Sequence, residues 1–188
     1  MKRLPLLLVA PLVLILSACS GPAASPPVET IDSKPSPSPS ATEVEPGAEP
    51  GTRESPLAVG EQRKLTDGSM WSVGADAATQ VGAGYIVLPL HIGLDWDAAK
   101  AQGMQEGDGT DPWTALLIEY VTAGGRSYDT WETYVEVPNQ IHEVGTVYPP
   151  LGEISTNYVV TLPDAEIPGG VWKVSNTNGD SVFIAAGI

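Results

Sequence analysis

Over residues 57–188 the chain runs in short apolar stretches separated by Gly, Pro, Asn and Asp, the punctuation of strands and turns. The clearest stretch is 85–94. Ile86, Leu88, Leu90, Ile92 and Leu94 alternate with other residues, which predicts a strand with one face in a core. Pro89 falls on the opposite phase and has no N–H to give a ladder, so it points to an edge strand or a bulge. Residues 70–75, 114–122, 134–137, 157–162, 171–175 and 181–186 predict further strands, with weaker patterns at 62–65, 127–131 and 146–148. Thr66-Asp67-Gly68-Ser69, Gly124-Gly125 and Asn178-Gly179 supply turn chemistry between them. Only residues 97–105 have room for a helix, of about two turns. Short strands at such spacing predict an all-β fold, an immunoglobulin-like antiparallel β-sandwich over 56–188.

The first residues follow a different pattern. Lys2 and Arg3 precede an apolar run over 4–16, broken only by Pro5 and Pro11, and Leu16-Ser17-Ala18-Cys19 ends it. A basic head, a short apolar run and small residues at a cut site make a secretory signal. The run is too short for a membrane-spanning helix, which takes about 20 apolar residues. The four residues at its end resemble the lipobox of bacterial lipoproteins. That resemblance implies a signal peptide over 1–18, a diacylglyceryl group on the Cys19 sulfur, and Cys19 as the mature N-terminus. Two acyl chains hold a protein stably at a bilayer where one is marginal. The implied location is the cell membrane, on its extracytoplasmic face, with the membrane as partner through the lipid anchor.

Residues 20–55 have no aromatic side chain, many Pro and Ser, and scattered Glu. Such a segment cannot bury enough apolar surface to offset the entropy of ordering it, so 19–55 is expected to be a disordered linker. Its Ser-Pro alternation at 36–39 favours extended conformations, and about 36 residues at full stretch reach on the order of 110 Å. Composition agrees with this division. Gly 20 and Pro 18 together make about a fifth of the 188 residues, which argues against a helical bundle. The formal charge of −14 excludes a phosphate-backbone partner, since nucleic acids are bound by clustered Lys and Arg. A single cysteine excludes an intrachain disulfide and any multi-cysteine metal site.

The folded part also resembles a family. Ser55-Pro56-Leu57 with Val59-Gly60, Tyr85-Ile86-Val87, the stretch Gly124-Gly125-Arg126-Ser127-Tyr128, and Asn157-Tyr158-Val159-Val160-Thr161-Leu162-Pro163 followed by Val171-Trp172-Lys173-Val174 are similar to the immunoglobulin-like domains of actinobacterial lipoproteins of the DUF4352 type. Where that family ends its second strand with Asn, this chain has Leu94-Asp95. The resemblance implies an extracytoplasmic interaction domain with no catalytic residues to carry over.

The candidate chemistry lies in one acidic loop. Asp95, Asp97, Glu106, Asp108 and Asp111 fall within about 17 residues, bracketed by Trp96 and Trp113, with Lys100 as the cation among them. Carboxylates on a loop suit weak Ca²⁺ binding, although the spacing is not that of an EF-hand, and they also serve simply to keep a loop solvated. Tryptophans at a surface stack on sugars or anchor a protein partner; folded inward, they cap a core. Trp71 and Trp172, on strands, are expected in the core. His91 and His142 are isolated, and there is no Gly-x-Ser-x-Gly elbow or zinc spacing. Glu132 and Glu136 are four apart on a predicted strand, about 13 Å along it, and so make a poor hydrolase pair. The expectation is a non-enzymatic interaction or ligand-binding domain at the envelope, with a protein or glycan partner and neither cofactor nor resident metal. Its expected ligand-binding residues are Trp96, Trp113, Asp95, Asp97, Asp108 and Asp111. The alternative is a carbohydrate- or Ca²⁺-binding module built on the same loop, 95–113.

Overall fold

A computed structural model describes residues 49–129, 135–150 and 152–188. Cys19, the leader expected at 1–18 and the linker as far as residue 48 lie outside these, as do Trp131 and Glu132.

The alternating stripe organises the first sheet. Strand β4 (Tyr85–Leu94) buries Ile86, Leu88, Leu90, Ile92 and Leu94 on one face, as its pattern predicts. It is joined antiparallel by β7 (Glu153–Thr161) along one edge, from Tyr85↔Thr161 to Gly93↔Glu153. Two successive strands share its other edge. β2 (Trp71–Ala75) faces residues 90–94, and β3 (Thr79–Gly82) faces 85–87. β1 (Gln62–Lys64) pairs beyond β2, across the turn at 66–69.

Pro89 is therefore in the central strand, which corrects the expectation of an edge or a bulge. It sits where β2 has ended and β3 has not begun. Its carbonyl accepts from the Asp76 N–H at 3.0 Å. The N and C=O of a strand residue face the same edge, so the missing donor faces this gap and β7 loses no bond.

The second sheet runs β6 (Ser127–Tyr128), β5 (Leu116–Val121), β8 (Val171–Asn176), β9 (Ser181–Ala185), all antiparallel. The inner faces of the two sheets enclose one core, and the fold is an all-β antiparallel sandwich. Trp71 and Trp172 are both inside it. Trp172 meets Tyr120 edge-on at 5.0 Å and Tyr158 at 6.3 Å, the perpendicular geometry that aromatic quadrupoles favour.

Other stretches differ from expectation. The strand expected over 114–122 starts only at Leu116, because Asp111 and Pro112 open a helical turn, α2 (Pro112–Ala115). Residues 135–137 are not a strand; Val137 instead packs with Val87 and Val159 on the outer face of β4 and β7. The pattern at 146–148 reduces to one bridge, Thr110↔Val147. A short helix α3 (Ile141–Val144) and a 3-10 turn (Asp164–Glu166) complete the described elements, with α1 (Trp96–Ala101) below.

Residues 51–55, counted with the linker above, take part in this fold. Phe183 N–H donates to the Gly51 carbonyl at 2.8 Å, Leu57 N–H to Phe183 at 2.8 Å, and Ala185 N–H to Leu57 at 2.9 Å. The leading segment thus covers the outer edge of β9. From it Arg53 Nη2 reaches the carbonyls of Thr122 and Ala123, each at 3.2 Å, in the β5–β6 turn.

Candidate functional site

The acidic loop is a string of capped turns. Asp95 is the N-cap of α1 (Trp96–Ala101), where its Oδ1 accepts from the Ala98 N–H at 3.0 Å. Its Oδ2 contacts Lys64 Nζ at the end of β1. That hydrogen bond with Lys64, helped by the one from Ala98, holds the Asp95 carboxyl below its ordinary value. Asp97 is almost wholly exposed and pairs with Lys100 one turn on, at 2.7 Å. Lys100 in turn lies over the ring of Trp96, 5.6 Å from its centroid.

The end of α1 is as well determined as its start. Gly103 has φ +97°, and its N–H donates to Lys100 O at 2.9 Å, while Met104 N–H donates to Ala99 O at 3.0 Å. This is a complete Schellman closure, and it turns the Met104 side chain back toward Ala99. Asp108 Oδ2 then accepts from the Gln105 N–H at 2.7 Å. Thr110 and Val147 exchange two backbone bonds, at 2.9 and 2.8 Å. Asp111 caps α2 through the Trp113 N–H at 2.9 Å.

The six predicted residues accordingly serve different ends of the loop. Asp95, Asp108 and Asp111 each accept a backbone N–H of their own turn. Trp113 packs against the core, with its ring 6.4 Å from Tyr158 and 5.9 Å from His142. Trp96 is half-buried beneath Lys100. Among the described residues no three His, Cys, Asp or Glu side chains converge as a metal-binding set.

Beneath the loop the structure opens a cleft of about 420 Å³. Met70, Ala99 and Met104 give it apolar walls, and Gln102, Gly103, Asp108 and Gly109 surround them. Gly109 permits the close approach of the neighbouring loop, since a Cβ there would lie 2.3 Å from Thr146 Cγ2. A broader hollow of about 480 Å³ lies beside Glu49, Glu61 and Arg63, all exposed and charged. The cleft under α1 is the one with two methionines in its wall, amid a lining that is polar and apolar in about equal measure. Its sequence signal was Gly103-Met104, a C-terminal helix stop followed by an apolar residue.

One further constellation arises only from strand register. On the outer face of β4 and β7, Ser155 Oγ is 3.3 Å from His91 Nδ1, and Asp76 Oδ2 is 3.2 Å from His91 Nε2. The trio has the residue types of a serine hydrolase. However, Glu153 Oε1 is nearer to the same Nδ1, at 3.1 Å, so Ser155 shares that nitrogen with a competing carboxylate. The residues lie on an open sheet surface and line none of the cavities described above.

Comparison with protein-family models, with curated proteins and with solved structures gave no match to this chain.

Proposed function

We propose that this chain is an extracytoplasmic lipoprotein, anchored through Cys19, whose sandwich holds a ligand non-catalytically in the cleft beneath α1. The anchor reading is supported by the only cysteine of the chain standing at the end of Leu16-Ser17-Ala18-Cys19. The binding reading is carried by one observation: a cavity with thioether and methyl walls that remains open beside a core otherwise closed by large side chains. The glycan- or Ca²⁺-binding alternative draws on the same loop. Three of its carboxylates accept backbone N–H groups of their own turns and Trp113 lies against Tyr158, so the cleft is the better supported site.

Two measurements test this reading. Mass spectrometry of the protein from its native host should show diacylglyceryl on Cys19; a free thiol there, or a cytosolic fraction, overturns the anchor. A fragment screen on the full chain carrying ¹³C-methyl methionine should gather its hits on Met70 and Met104. Hits confined to other surfaces overturn the cleft.

A further inference from the structure

Five of the N–H groups lining the cleft beneath α1 are already in use. The N–H groups of Ala99, Gln102, Gly103 and Met104 all donate to carbonyls of α1 or to its N-cap, and the Asp108 N–H donates to Gln105 O. Gln102 Nε2 donates to Gly68 O at 2.9 Å, across the β1–β2 turn. That bond engages the amide nitrogen, so the acceptor Gln102 has to offer is its oxygen. Asp108 commits one oxygen to the Gln105 N–H and keeps the other. The nearest cation of the loop, Lys100, is held away over Trp96 and against Asp97. The polar rim therefore presents mainly acceptors and a carboxylate, around apolar walls of Met70, Ala99 and Met104.

We infer that the cleft takes a small apolar molecule bearing a cationic amine. The apolar body rests on the two methionines, whose unbranched, polarisable side chains adapt to irregular shapes. The ammonium donates to the Asp108 carboxylate and the Gln102 oxygen. The chain's charge of −14 raises the local concentration of such a cation and disfavours an anionic ligand of the same shape. A neutral alcohol of equal size fills the cavity but forgoes the charge-assisted bond. The inference rests on the cleft being the binding site, as proposed above.

The test uses the full chain in a non-ionic micelle with ¹³C-methyl methionine. Of the three methionines in the sequence, Met70 and Met104 remain once the chain is cut before Cys19, so both methyl signals of the mature protein report on the cleft. Phenethylamine, phenethyl alcohol and phenylacetate are the probes. Phenethylamine should shift the Met70 and Met104 methyl signals together and saturably, with an affinity at least about fivefold above the alcohol, and phenylacetate should be weakest. Asp108→Asn keeps an oxygen to cap Gln105 while losing the charge, so it should abolish the preference for the amine without lowering Tm. Equal responses to all three probes, or a preference that survives Asp108→Asn, overturn the ligand class and leave the cleft standing. No response from either methyl to any probe overturns both.

Discussion

Lys64 Nζ contacts the carboxylate of Asp95, tying the end of β1 to the N-cap of α1 across 31 residues of chain. The same carboxylate caps the helix, so one side chain joins β1 to the start of the helix that walls the cleft. Asp95→Ala loses the cap and the ion pair. Asp95→Asn keeps a capping oxygen and loses only the charge. The expected order of Tm is wild type, then Asn, then Ala, with a drop of a few degrees for Ala. Since Lys64 lowers the folded-state value, this carboxylate stabilises fully above its unfolded value near 3.8, and its contribution is lost as pH falls through the folded one. The Tm gap between wild type and Asp95→Asn should be constant from pH 5 to 7 and shrink below about pH 4. A gap independent of pH overturns the assignment.

Gly170 is held by Tyr120. A Cβ at Gly170 would lie 2.4 Å from the phenol oxygen of Tyr120, which is fully buried and donates to the Ile167 carbonyl. The glycine is needed for space rather than for an unusual φ. Gly170→Ala should cost about 1–3 kcal/mol by overpacking. Combining it with Tyr120→Leu should cost less than the sum of the two single changes, because the clashing atoms are gone. Chemical denaturation of the four proteins checks this, and strict additivity would count against the contact.

What could be read from the chain was what local pattern encodes. β4 was legible to the residue because five alternating apolars face one core, and 66–69, 124–125 and 178–179 are hairpin turns where their Gly and Asp suggested. β3 was not legible, since all four of its residues are exposed and carry no alternation. The start of β7, Glu153 to Thr156, has one apolar residue, Ile154, too little to mark a strand by alternation, and it is paired with β4. The acidic loop was visible as a cluster, but the capping roles of its aspartates were not drawn from it. Asp before a helical turn, as at Asp95 and at Asp111-Pro112, is a cap signal that competes with the ligand reading. The meeting of His91 with Asp76, Glu153 and Ser155 depends on long-range register, which no local pattern records.

Tyr158 links the core to the loops. Its hydroxyl donates to the Asp129 carbonyl at 2.7 Å, and its ring lies between Trp113 and Trp172. Burial raises its phenol well above the ordinary value near 10, with the Asp129 and Glu119 charges adding to it. A raised folded-state value means that its contribution is complete below pH 10 and is lost as pH climbs toward the folded value. Tyr158→Phe should cost about 1 kcal/mol at pH 7, from the lost bond and the carbonyl left behind. Its Tm should fall less steeply than wild type above pH 10. Parallel curves in that range would remove Tyr158 as the titrating group.

The leading segment decides where the domain begins. Leu57 is buried, bridges Ile184 in parallel, and sits between Phe183 and Ala185 in the hydrogen-bond ladder, while Gly51 takes the Phe183 N–H. A chain starting at Pro56 keeps Leu57 but loses Gly51 and the Arg53 bonds to Thr122 and Ala123. Part of the β9 edge is then unpaired, and an unpaired edge both weakens a sheet and invites a second copy. A chain starting at Glu49 should melt several degrees higher than one starting at Pro56. The shorter chain should also self-associate at high concentration in size-exclusion chromatography. Leu57→Ala in the full chain, which leaves the edge covered but opens the core, should cost about 2–5 kcal/mol without self-association. Equal melting of the two truncations would return residues 51–55 to the linker.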